Sequence, residues 1–375
     1  MVDLLALRDE IDIIDKEIVT LYKKRMEIAK GVAEFKISTG KPIFDSVREQ
    51  QKIEALKEMA ETEFHKQGVS ELFGHIMAIS RKLQYQLLQQ QGIVKDLEFS
   101  AIKKDDIKNP KVVFQGVKGA YSHLAMKTYF GEEVENFHVE TFRDVMETIA
   151  KGEADFGILP IENSTAGSVN DNYDLLMEYN NYIIGEQIIK AEHVLLGTPD
   201  ASLDTIKTVY SHPQGLMQCK KYLEQRREWG QVPVLNTAVS AKKVATEQDN
   251  TQASIASRFA GEYFGLKVLA ENFCDEMNET RFLIVTNRKE YRKEAKKISI
   301  CFEVPHISGS LYNILSHFIY NNLNMSRIKS RPLEGQNWEY SFFVDFDGNL
   351  EDSAVLNALR GVQAEAVNLK ILGNY

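Results

Sequence analysis

Arg25 occupies a seat that belongs to an apolar side chain. Leu4, Leu7, Ile11, Ile14, Ile18 and Leu21, then Ile28, Val32 and Phe35, recur at alternating spacings of three and four, and the position missing from that series is residue 25. A guanidinium in such a dry seam is costly unless it is paired, so Arg25 either meets an anion or snorkels to the seam edge. Lys36, eleven residues on, returns to within about 20° of Arg25 around a helix and stands roughly 16 Å along it, so both side chains can lean toward one pocket. Arg8 is placed differently. It lies roughly 25 Å from Arg25 along the same helix and about 100° around it, too far to grip the same small ligand. If Arg8 serves that pocket, it comes from a second chain. A second candidate constellation is the stretch NETRFLIVT, residues 278–286, where Thr280 and Arg281 stand at the mouth of the apolar run Phe282–Val285. Read alone, a Thr-Arg pair is about as informative as chance, and Arg281 reads equally well as a structural ion pair.

The elements that must hold these groups follow from periodicity. Residues 3–90 read as helix in three segments, broken at STGKP (38–42) and near HKQGVS (65–70). The second helix opens with Ser46 and Glu49 at capping-box spacing, with Asp45 as another possible cap. On the third, Ser80 and Gln84 lie one turn apart on one face, although the Gln-rich LQYQLLQQQ also suits a solvated surface. Residues 92–110 are polar, lack a period and end in Asn-Pro, the pattern of a linker. From 111 to about 290, short β-rich runs (KVVFQGV, ADFGILPI, TIKTVYS, RFLIVT) alternate with helical stretches, as in an α/β domain. Residues 297–375 follow the order β-α-β-β-α-β, a split unit of the ferredoxin-like kind. The expected domains are therefore 1–91, 111–290 and 297–375.

Composition limits the function. An apolar fraction of 43% in 375 residues gives each domain a core, and a formal charge of −9 disfavours nucleic acid as the main partner. Any anionic ligand must then be held by local cations against the overall field. There is no run of about 18 apolar residues, and the acidic N-terminal stretch does not read as a signal peptide, so a cytoplasmic protein with no membrane partner is expected. Cys219, Cys274 and Cys301 are far apart in sequence and lack metal-ligand spacing, which fits buried thiols in a reducing compartment.

The stretch from LLALRDEI to QLLQQQ resembles the all-helical chorismate mutase found at the front of bifunctional proteins that go on to dehydrate prephenate. Arg8, Arg25, Lys36, Asp45, Arg48, Glu49, Ser80 and Gln84 fall on that family's active-site positions. The resemblance implies an intertwined dimer and a one-step pericyclic rearrangement of a dianion, which needs no metal, nucleophile or organic cofactor. It assigns Arg25, and Arg8 of a second chain, to the carboxylates with Ser80 assisting. Lys36 and Gln84 then donate to the breaking ether and Glu49 accepts from the ring hydroxyl, while Asp45 and Arg48 complete the lining.

The middle segment resembles prephenate dehydratase. GVKGAYSHLA (116–125), PIENSTAGSV (160–169), YSHPQG (210–215), NTAVSA (236–241) and ASIASRFAGEYFGL (253–266) precede TRF (280–282) in that family's order. Read singly, His212-Pro213 is a simple helix start, PIENS a capping loop, and His123 and His212 structural. The resemblance implies a bilobal, periplasmic-binding-protein-like α/β fold in which Thr280 donates to the leaving ring hydroxyl. Glu162, Asn163, Ser211, Gln214 and Arg281 would orient the ring and its carboxylates. Val117 stands where the family has proline, a change that touches the rigidity of the turn.

The last segment resembles the ACT regulatory domain, with Gly309, Leu311, Ser330 and Arg331 at the phenylalanine-binding positions. It departs from the family pattern at Ser310, Tyr312 and Lys329, and the last of these reverses a charge. The implied protein converts chorismate through prephenate to phenylpyruvate, without cofactor, under feedback by L-phenylalanine. A substrate swap to arogenate and a non-enzymatic amino-acid sensor are the competing expectations, the first separated by relative rates and the second by turnover of chorismate.

Overall fold

The structure is a computed structural model that describes residues 3–91, 98–103, 106–275, 278–304, 306, 308–333 and 340–375, apart from the side chains of Ser46 and Gln89. The chain forms two compact units, Met1–Glu98 with Lys296–Lys370, and Phe99–Ala295 with Ile371–Tyr375.

The first unit begins with α1 (Leu4–Thr39), α2 (Ser46–Lys57) and α3 (Glu63–Gln90). Asp3 caps α1 by accepting from the Leu5 and Ala6 amides, and Gly40 ends it in the left-handed conformation that glycine adopts without strain. Asp45, rather than Ser46, caps α2, accepting from the Arg48 amide at 3.0 Å. The second break falls at residues 58–62, not at 65–70. Thr62 accepts from the His65 amide at 3.2 Å and so starts α3 upstream of Gly68, which the helix absorbs. On α1 the apolar series Leu4, Leu7, Ile11, Ile14, Ile18, Leu21 and Ile28 is 44–66% exposed. Among the described residues, therefore, the seam is left largely uncovered.

The second unit opens with β1 (Ser100–Ile102), inside the segment expected to be a linker. Residues 92–97 and 104–105 of that segment lie outside the described residues. There follow β2 (Lys111–Gln115), α4 (Tyr121–Phe130), β3 (Glu135–Val139), α5 (Phe142–Ala150), β4 (Phe156–Asn163), β5 (Gly167–Ser168), α6 (Asn170–Glu178) and β6 (Tyr182–Lys190). The chain then crosses to β7 (His193–Gly197), β8 (Thr208–Ser211), α7 (Pro213–Gln218), α8 (Lys220–Glu224), β9 (Gly230–Pro233), α9 (Thr237–Glu247), β10 (Gln252–Ser257), α10 (Arg258–Phe264) and β11 (Lys267–Ala270). It returns through β12 (Glu279–Thr286) and β13 (Glu290–Arg292), and β13 pairs in parallel with β1.

Two sheets result. One has the order β6-β12-β4-β2-β3, and the other β11-β7-β10-β8-β9. Each has its own core, Phe114, Met126, Phe156, Ile158, Phe282 and Ile284 in the first, and Leu195, Val209, Leu223, Trp229 and Ile255 in the second. Two lobes joined by two crossings leave the β4 and β12 ends facing α7.

The remainder of the first unit is β14 (Lys297–Glu303), α11 (Ser310–Tyr320), β15 (Met325–Pro332), β16 (Tyr340–Asp347), α12 (Ser353–Glu365) and the start of β17 (Leu369–Asn374). β16 lies between β14 and β15, antiparallel to both, which gives the expected β-α-β-β-α-β order. Within this unit α12 packs on α3, so the last segment and the opening helices share one body. No helix among the described residues is long and apolar enough to cross a membrane.

Candidate active sites

The three opening helices bring a cationic pocket together. Arg25 and Lys36 on α1 are half-buried, Glu49 comes from α2, and Ser80, Arg81 and Gln84 come from a buried stretch of α3. Burial holds the Arg25 and Lys36 cations below their usual range, and the Glu49 carboxylate partly counters this at both. The Lys36 ammonium donates to the Ile43 carbonyl at 2.5 Å. Gln84 donates to Ser80 Oγ at 3.4 Å, while Gln84 Oε1 and one terminal nitrogen of Arg25 are buried without a partner. The Arg25 nitrogen is a donor that an incoming anion can use, whereas Gln84 Oε1 can only accept and suits a hydroxyl of the ligand. Arg8 and Arg48 are exposed in the single chain, and Asp45 caps α2. Arg81, which the sequence did not single out, lies beside this set. Its guanidinium pairs with Glu49 and lies over the Phe44 ring, 4.8 Å from the centroid. Such a pocket offers preorganised cations and a side-chain amide, which suits a reaction that needs only conformational restraint and charge stabilisation.

In the second unit, strand pairing sets Thr280 opposite Asn163 and Arg281 opposite Glu162. Neighbours on a strand point to opposite faces, so these are two separate pairs. On one face the Asn163 amide donates to Thr280 Oγ1 at 2.8 Å and to Asn278 Oδ1 at 2.6 Å. Asn163 Oδ1 accepts from the backbone amides of Thr165 and Ala166, at 3.1 and 2.9 Å, and from Gln214 at 3.3 Å across the lobes. Backbone N–H groups can only donate, so they fix which end of the amide is oxygen and therefore which end reaches Thr280. With its oxygen already accepting, the Thr280 hydroxyl keeps its hydrogen for another acceptor. On the other face Arg281 pairs with Glu186 at 2.6 Å and donates to the Tyr375 hydroxyl at 2.7 Å. Arg281 and Glu162 thus share the face away from the Thr280 hydroxyl, where Arg281 is held in an ion pair. Ser211 has no exposed surface and donates to the Ile255 carbonyl at 2.7 Å, which makes it a strut beneath α7 rather than a group lining the cleft.

Family models match the chain twice, as chorismate mutase type II over residues 7–85 and as prephenate dehydratase over residues 112–290. The bifunctional chorismate mutase/prephenate dehydratase of Enterobacter agglomerans is 32% identical over 99% of this chain and 95% of its own length. The chain belongs to the bifunctional chorismate mutase/prephenate dehydratase family. A relative of the same description from Aquifex aeolicus is 31% identical over 100% of this chain and 98% of its own. Among solved structures, prephenate dehydratase from Arthrobacter aurescens in complex with L-Phe matches with TM-score 0.65 and 29% identity, covering 71% of this chain and 89% of that one.

The bifunctional enzyme carries out both reactions of its name on the way to phenylalanine, chorismate to prephenate and prephenate to phenylpyruvate. Several of its remaining polar residues are structural. His212 caps α7 by accepting from the Gln214 amide at 3.2 Å. His123 accepts from the Gly119 amide at 3.0 Å inside the opening glycine turn, where Gly119 has φ +90° and a Cβ would strike the Phe264 ring. Asn278 was legible only as the first letter of NETRF, and Gln218, which donates to Thr165 at 2.8 Å across the lobes, left no signal in the sequence. Cys219 and Cys274, distant in sequence, bring their sulphurs to 3.8 Å. In the last segment Gly309 caps α11 with φ +82°, Leu311 and Arg331 are half-buried, and Ser330 is exposed on β15.

Proposed function

We propose that the mutase pocket binds the two carboxylates of chorismate through Arg25, Ser80 and Arg8 of a second copy of the chain. Lys36 and Gln84 then donate to the ether oxygen as it gains charge, and Glu49 accepts from the ring hydroxyl, with Asp45 and Arg48 lining the entrance. The length of α1 and its bare apolar face support this reading. Two copies laid along that face would cover the seam and carry Arg8 the roughly 25 Å it must travel to reach Arg25.

In the dehydratase, Thr280 hydrogen-bonds to the leaving ring hydroxyl as carbon dioxide departs and the ring becomes aromatic. The observation that carries this assignment is the Asn163 amide donating to Thr280 Oγ1, which leaves the hydroxyl hydrogen directed elsewhere. Gln214 closes the same network from the second lobe. The two-lobed arrangement with two crossings supports the binding-protein-like fold expected for this segment. Residues 297–375 act as an ACT domain that binds L-phenylalanine near Gly309, Leu311, Ser330 and Arg331, a reading supported by the β-α-β-β-α-β order and by the positive φ at Gly309.

Incubation of the purified protein with chorismate, without added cofactor, tests these assignments when repeated with Thr280→Ala, Arg25→Ala and added L-phenylalanine. The parent forms phenylpyruvate, Thr280→Ala accumulates prephenate, and Arg25→Ala still dehydrates supplied prephenate. Loss of both activities in one folded variant would contradict independent sites. Faster turnover of arogenate than of prephenate would change the substrate while leaving the geometry in place.

A further inference from the structure

The pairing of Arg81 does not stop at Glu49. Arg81 is only 8% exposed, and its second terminal nitrogen donates to Glu365 Oε1 at 2.7 Å, near the end of α12. The same carboxylate oxygen is bonded to His317 Nε2 of α11 at 3.0 Å. Four side chains therefore run in series from the mutase pocket into the β-α-β-β-α-β segment. The last of them is fitted closely, since a Cβ on Gly361 would lie 2.2 Å from the His317 ring. Burial alone would raise the Glu365 carboxyl, but the His317 hydrogen bond and the His317 and Arg81 charges hold it below the usual carboxylate range. The same body carries a second tie between the segments. His75 of α3 meets the hydroxyls of Tyr312, at 2.8 Å, and of Tyr320.

Arg81 is not among the positions on which the chain resembles the mutase family, and its place in the pocket comes from the structure alone. We propose that Arg81 is a positioning residue for Glu49, and that the series Glu49–Arg81–Glu365–His317 makes mutase turnover depend on the geometry of the C-terminal segment. The physical reason is the fork of the guanidinium. Two carboxylates held by one planar cation fix each other's placement, which a lysine, with a single point of charge, cannot reproduce. Displacement of Glu365 by movement of α12 releases one arm of the fork, and Glu49 then loses the direction from which it meets the substrate. The proposal rests on the assignment of Glu49 to the ring hydroxyl.

The test uses the full-length protein and measures mutase kcat and KM together with dehydratase kcat. Glu365→Gln, which keeps the shape and removes the charge, should lower mutase kcat about tenfold with KM within about twofold and leave the dehydratase unchanged. Arg81→Leu should lower mutase kcat at least as far, and Arg81→Lys should fall between. In the Arg81→Leu background, Glu365→Gln should have no further effect, because its route is already cut. A Glu365→Gln enzyme with parental mutase kcat overturns the proposal, and so do additive losses in the double variant or an equal fall in both activities. Glu49→Ala separates the underlying assignment. If it leaves mutase kcat intact, the role given to Glu49 fails and the relay fails with it. If it abolishes turnover while Glu365→Gln does nothing, only the relay is overturned.

Discussion

Asn163→Asp isolates the part of the dehydratase site that the sequence could not show. The substitution is nearly isosteric, and a carboxylate still accepts from the Thr165 and Ala166 amides, the Thr165 hydroxyl and Gln214. What it removes is the donor. The 2.8 Å contact to Thr280 Oγ1 becomes oxygen against oxygen, and the threonine answers by turning its own hydrogen onto the new carboxylate. That hydrogen is the one assigned to the leaving hydroxyl, so the chemistry loses a preorganised donor. Such a loss lowers kcat about 10²- to 10³-fold, or about 3–4 kcal/mol. The 2.6 Å contact to Asn278 is repaired by a flip of that amide, which limits the folding cost to about 1 kcal/mol. Repulsion of anionic prephenate raises KM as well, so the decisive quantity is phenylpyruvate formation at saturating prephenate, with mutase turnover as the internal control. Asn163→Ala leaves the Thr280 hydrogen free and should fall less in kcat than Asn163→Asp. If Asn163→Asp keeps kcat within about threefold of the parent, the hydroxyl is not the donor that this geometry makes it.

Two further outcomes follow from features away from that network. Ile18→Glu places a charge in the bare face of α1 and should shift the protein toward smaller species in analytical ultracentrifugation, with mutase activity lost because Arg8 is no longer delivered; an unchanged mass would refute the seam as the interface. His123 is lowered to about 4 by burial first, and then by the charges of Lys127 and Lys118, against 6.5 for the free side chain. Between those values the unfolded chain takes up a proton that the native one refuses, so its contribution to stability is present above about pH 6.5 and lost as pH falls toward 4. His123→Asn should flatten that stretch of the denaturation profile relative to the parent, and an identical slope would remove His123 as the cause.

The sequence was informative wherever a local rule decides the structure. Alternating spacings gave α1 its bare face, and turn chemistry placed the β-α-β-β-α-β order of the last segment element by element. Local rules misled where two signals competed within a few residues. Gly68 suggested a helix break, yet Thr62 had already supplied a cap and the helix ran through the glycine. Ser46 and Asp45 both offered a cap to α2, and the choice between them was settled only by the structure, in favour of Asp45. The remaining gaps are contacts over long separations. Nothing near Arg81 in sequence announces Glu365, and nothing in TRF says that its arginine faces Glu186 while its threonine faces Asn163. The bond from Ser211 to the Ile255 carbonyl is of the same kind, since its neighbours in YSHPQG do not reveal the strand beneath it.

The position of β12 also governs the order in which the enzyme is assembled. It is inserted between β4 and β6 although the whole second lobe, residues 193–270, separates it from both in the chain. On a ribosome the second lobe has all its strands before the first lobe can close, because the first lobe lacks the strand at its centre until synthesis has passed Thr286. Joining segments so distant costs loop-closure entropy that local contacts do not repay, which makes this pairing a slow step. Thr280 arrives on that last strand. A nascent chain therefore carries its three opening helices long before it has a dehydratase, and dehydration waits until the late strand is threaded home.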